Sequence, residues 1–145
     1  MPALKIQDLK KHLVSRGFLV YRTNPEEVQL AELVRDNLIM DGSVALLTGE
    51  PMRVRFMTRA QRSDFPWSHE TPAALFERAR RLAVRASAHG FREVSTVVIP
   101  QQDPIEPDTV LDVWYQVVFE RELGSLEEAE DVLRFALSLE KVAPR

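Results

Sequence analysis

The sequence predicts an α+β fold, an antiparallel sheet of about five strands with helices packed on it, in the order α-β-α-β-β-α-β-β-α. Three observations carry that expectation. Apolar residues recur at helical spacing in four segments and alternate or cluster as strands in five. All five glycines, Gly17, Gly42, Gly49, Gly90 and Gly124, fall between these segments rather than inside them. The 145 residues, 45% of them hydrophobic, suffice for one domain spanning 1–145 with a substantial core.

Residues 3–16 place Leu4, Leu9 and Leu13 on one helical face, with Gly17 as the C-terminal cap. Phe18 to Tyr21 is a short apolar, aromatic run that reads as a strand. Asn24-Pro25-Glu26-Glu27 offers an N-cap, a first-turn proline and acids facing a helix dipole. The helix it would open carries Val28, Leu30, Ala31, Val34 and Leu38 and stops at Asp41-Gly42. Val44–Leu47 and Met52–Arg59 read as a hairpin around Gly49-Glu50-Pro51. A loop over Ser63–Thr71 leads to Thr71-Pro72, where a helix begins with Leu75, Phe76, Ala79, Leu82, Ala83 and Ala86 inward and ends at Gly90.

Val94–Ile99 is β-branched and stops at Pro100, and Gln101–Asp108 is a turn-rich loop. Val110–Glu122 alternates, with Leu111, Val113, Tyr115, Val117 and Phe119 on one face. Ser125-Leu126-Glu127-Glu128 is a capping box opening a helix with Ala129, Val132, Leu133, Ala136 and Leu137 inward. The β-α-β-β-α-β order between Phe18 and Ile99 matches the split βαβ arrangement of ferredoxin-like domains.

The absence of cysteine excludes disulfides, thiolate metal sites, iron–sulfur clusters and a cysteine nucleophile. No run approaches the ~20 apolar residues of a membrane span. Met1–Lys11 lacks the plan of a secretory signal, so a cytoplasmic chain away from membranes is expected. His12, His69 and His89 are widely separated, no two of them at the helical spacing that aligns two ligands, and Asp8 four residues before His12 reads as an ordinary exposed helix pair; no metal and no cofactor are expected. Nucleotide-binding and nucleophile-elbow motifs need glycines that are placed elsewhere.

The most enzyme-like stretch is the loop Arg62–Thr71, where His69 could act as acid or base with Asp64 orienting it. Arg53, Arg55 or Arg59 would then hold an anionic substrate. A simpler reading has Ser68 or Thr71 capping the next helix while Phe65 and Trp67 tuck over the core edge.

Charge is segregated along the chain. The net charge of −3 divides into −1 over residues 1–52, +6 over 53–92 and −8 over 93–145, and every base in the middle block is arginine. Alternation puts Arg53, Arg55 and Arg59 on one face of their strand. The 110–122 strand faces outward with Asp112, Trp114, Gln116, Val118, Glu120 and Glu122. Three pairings are open: carboxylates of the same chain, a second copy, or a polyanion such as nucleic acid. The last is disfavoured by the negative net charge and the scarcity of lysine, with 4 Lys against 15 Arg.

These features lead to an expectation of a non-catalytic protein-interaction module, homodimeric or bound to another protein. Arg53, Arg55, Arg59, Trp67, Trp114 and Val118 are its candidate contact residues.

Overall fold

A computed structural model describes residues 5–34, 36–66 and 70–144. The class is α+β: helices α1 (Ile6–Ser15), α2 (Pro72–Arg81) and α3 (Leu126–Ser138) accompany strands of a largely antiparallel sheet. The strands are β1 (Val20–Asn24), β2 (Glu27–Val34), β3 (Asn37–Leu47), β4 (Arg53–Gln61), β5 (Arg92–Gln102) and β6 (Val110–Glu122). Two compact units divide the chain. One gathers the residues up to Phe56 with Glu120–Ser138, the other Met57–Phe119 with the residues from Leu139 onward, so β4 and β6 contribute to each.

In the first unit α1 follows its predicted bounds closely. Leu9 and Leu13 are buried, Gly17 takes the left-handed φ of 90° that a helix terminus favours, and the Phe18 N–H donates to the Leu13 carbonyl at 3.1 Å. The next element differs from expectation. The described residues of 25–41 form no helix; they hold a turn, β2 and the start of β3. Asn24 Oδ1 accepts the backbone N–H groups of Glu26 at 2.9 Å and Glu27 at 3.0 Å, as an N-cap would. The same bonding also closes an Asx turn, and here it joins β1 to β2.

What decides the issue is packing. Val28 and Leu30, two residues apart, stand opposite Leu46 and Val44 of β3, which in turn face Val54 and Phe56 of β4. All six side chains are essentially fully buried on one face, against which α1 and α3 pack. A helix over the same residues would have turned Leu38 inward, whereas it is half exposed. With that helix absent, the split βαβ order is also absent: four consecutive strands precede α2.

Asp41-Gly42, expected as a helix stop, lies inside β3. Pairing slips between Leu30↔Val44 and Glu32↔Ile39, and Gly42 sits in the irregular stretch with φ 68°. The backbone conformation favours glycine here, and a Cβ would also come within 2.7 Å of Gln29 Oε1, an atom at the end of a side chain that can turn aside. Helix α3 begins as predicted, with the Glu128 N–H donating to Ser125 Oγ at 3.4 Å and Ala129, Val132, Leu133 and Ala136 buried. Arg16 ties α1 to α3 through Glu130 at 3.0 Å.

In the second unit the Ala74 N–H donates to Thr71 Oγ1, capping α2 above Pro72, while Leu75 and Ala79 are buried. The helix is shorter than the expected span to Gly90. From Leu82 onward i→i+3 bonds tighten the chain, and the 3₁₀ turn Ser87–His89 ends at Gly90 with φ 81°. Ala83 and Ala86 remain buried through this tighter winding. Buried Thr58 of β4 donates from Oγ1 to the Ala79 carbonyl at 2.7 Å and anchors the helix end. The C-terminal segment also docks on β4: the Arg59 N–H donates to the Lys141 carbonyl and the Ala143 N–H to the Arg59 carbonyl, both at 2.8 Å. Strand neighbours in this unit run β4-β6-β5, which leaves β5 at the sheet edge.

Phe56 is the largest fully buried side chain among the described residues, central to the first unit's apolar face. Phe56→Ala should lower unfolding free energy in urea by about 3–5 kcal/mol. A loss below about 1 kcal/mol would mean that this face is not the core.

Candidate functional site

The arginine strand face is tied to carboxylates of the same chain. In the first unit Arg53 reaches Glu120 at 2.7 Å and Arg55 reaches Glu27 at 2.9 Å. The carboxylates are the more withdrawn members, the Glu27 side chain being 12% and the Glu120 side chain 16% exposed, against 21% for Arg55 and 37% for Arg53. The Gln29 amide donates to the other oxygen of Glu27 at 2.5 Å and holds that carboxylate in place. Such a pair is hard to open, because removing one member strands a partly buried charge.

In the second unit the guanidinium of Arg59 lies over the Trp114 ring, 4.0 Å from its centroid. Asp112 accepts from Ser63, backbone N–H at 2.9 Å and hydroxyl at 2.8 Å. The outward residues of β6 thus meet partners from β4 and the turn after it. Gln116 and Val118, between them, are buried, Val118 being 8% exposed. The side chain of Val118 therefore offers almost no surface to a partner.

Arginines of the second unit also converge on Glu70. Arg78 holds its carboxylate through two nitrogens, the Nε bond being 2.6 Å, and Arg62 donates to its backbone carbonyl at 2.9 Å. Arg78 in turn lies over the Phe65 ring. The hydrogen bond from Arg78, and then the positive charges of Arg78, Arg62 and Arg81, hold the Glu70 carboxyl below the ordinary glutamate range against the opposing effect of desolvation. Arg80 binds both Glu77 and Glu93. Of the enzyme-like loop, Asp64 lies in a 3₁₀ turn over Arg62–Asp64, while Trp67 and His69 fall outside the described residues. Among the described residues no three His, Asp or Glu side chains come together as a metal site.

The surface that sequence reasoning missed is the β5–β6 hairpin. Residues Arg92–Val98 of β5 are all exposed, as are Val110 and Leu111 of β6. Val98 is 51%, Leu111 61% and Ile105, in the connecting loop, 89% exposed. Leu111 was expected inward by alternation, yet alternation identifies a face and not whether anything covers it. The available signal was Val94–Gln102, nine residues without a charge and interrupted by a proline.

The lowered Glu70 pKa has a consequence for acid stability. The folded state binds a proton at Glu70 less readily than the unfolded chain, so the stabilisation is complete above the unfolded value of about 4.3 and is lost as pH falls through the lower folded value. Glu70→Gln should therefore cost stability at neutral pH and shrink the difference from the parent protein as pH drops below about 4. A stability difference independent of pH, measured by thermal melts across that range, would contradict the pairing.

No helix among the described residues is long and apolar enough to cross a membrane. No family model, curated protein or solved structure matches this chain.

Proposed function

We propose that this chain is a non-catalytic protein-interaction module, one α+β domain that works as a cytoplasmic homodimer. The observation that supports this reading best is the exposed apolar surface of the β5–β6 hairpin, where Val94, Val97, Val98, Val110, Leu111 and Ile105 are open to water. Apolar area of that kind is stabilised by burial, at roughly 25 cal/mol per Å² removed from water.

The contact surface is accordingly placed on this hairpin rather than on the arginine block. Arg53 and Arg55 already hold Glu120 and Glu27, and Arg59 stacks on Trp114. Those engagements weigh equally against the alternative in which the same arginines grip an anionic substrate beside His69. They also weigh against a nucleic-acid partner, whose phosphates would have to displace carboxylates from at least two of the candidate side chains.

Multi-angle light scattering of the purified chain at micromolar concentration should give twice the chain mass. A monomer that persists to tens of micromolar would overturn the homodimer.

A further inference from the structure

We infer that two copies associate by pairing their β5 edge strands antiparallel about a two-fold axis at Val97, joining their sheets across the pair. This rests on the homodimer reading above and specifies its contact.

Three features of β5 lead there. It has a strand neighbour, β6, on one side only, and Arg92–Val98 are exposed. The hairpin closes with the Asp103 N–H donating to the Thr109 carbonyl at 2.8 Å. Backbone groups alternate sides along a strand, so counting in twos from Asp103 directs Gln101, Ile99, Val97 and Ser95 toward β6. Gln102, Pro100, Val98, Thr96 and Val94 then face away. Proline belongs on the outward side of an edge, where its missing N–H costs no bond within the sheet, and Pro100 falls there independently of the count. The outward groups of Thr96 and Val98 can thus pair with another strand.

The third feature is the absence of charge along the edge. Edge strands are normally guarded by charge or by proline; between Val94 and Gln102 no charge stands, and Pro100 withholds a single donor from a facing strand. Arg92 and Glu93 lie at one end, with Glu93 already held by Arg80.

Charge placement selects the register. Pairing two even-numbered outward sets allows an axis at Thr96, Val97 or Val98. An axis at Thr96 sets Glu93 against Ile99 and Arg92 against Pro100, burying charge beside apolar groups. An axis at Val98 opposes Glu93 to Asp103, two acids. With the axis at Val97, Arg92 meets Gln102, Glu93 meets Gln101, and Thr96 pairs with Val98 by mutual backbone hydrogen bonds. Val94 and Ser95 meet Pro100 and Ile99, and the two Val97 side chains meet each other. This register opposes no like charges and sets no charge against an apolar residue, so the edge of a second copy fits it.

The chain has no cysteine, so single introduced thiols report the register directly. At the axis the two Val97 positions form a non-hydrogen-bonded pair with Cα atoms about 4.5 Å apart, within disulfide range. The two Val94 positions would lie roughly 20 Å apart, six residues off register. Under mild oxidation Val97→Cys should form a covalent dimer faster than Val94→Cys by on the order of tenfold or more, because only the former pair is held together. Val98→Lys should return the unmodified protein to monomer with an unchanged circular dichroism spectrum. Equal cross-linking at both positions in a protein that scatters as a dimer overturns the strand pairing and leaves the homodimer standing. A monomer by scattering overturns both.

Discussion

The arrangement depends on carboxylates taking up the strand arginines. Arg53 with Glu120 and Arg55 with Glu27 bring the basic block into contact with acids from elsewhere in the chain. Were these partners absent, the strand would present closely spaced guanidinium groups on one face, with each charge repelling the next. The acidic C-terminal block supplies Glu120 and Glu130 as ligands for arginines that lie far away in sequence.

With those charges engaged, the apolar residues of the β5–β6 hairpin remain exposed to water. Salt bridges between well-placed partners contribute register more than net stability, since desolvation offsets much of the attraction. In the first unit the stabilising burial comes from Val28, Leu30, Val44, Leu46, Val54 and Phe56 on the other face of the same strands. In the second unit Tyr115, Val117 and Phe119 are buried, while the far part of the β5–β6 hairpin is left in water. Arg53, Arg55 and Arg59 are thus engaged within the chain, while Val94, Val97 and Val98 of β5 stay exposed.

How much of this is legible in the sequence depends on the range of the interaction concerned. Gly17, Thr71-Pro72 and Ser125 act within a few residues of themselves, and the helix limits they imply agree with the structure at those ends. Asn24 is equally local, but its hydrogen bonds serve a turn as well as a helix cap, and the choice belongs to Val44 and Leu46, about twenty residues away. The strand alternation correctly placed Arg53 and Arg59 on a shared face with residues of β6. It did not foresee Glu27 as the partner of Arg55, because that acid was read as part of a helix. Nor could alternation alone tell that Val118 is covered and Leu111 is not, since coverage is set by what packs above each strand.

The central claim is that charge is satisfied within the chain while association is apolar and backbone-mediated. Sedimentation equilibrium of the unmodified protein across salt concentration separates these most directly. The account predicts a dimer whose dissociation constant stays within about a factor of three between low salt and about 1 M, where screening acts within about 3 Å. A dimer that dissociates progressively as salt rises would contradict it, and would instead place the arginine block and the acidic block across an interface between copies.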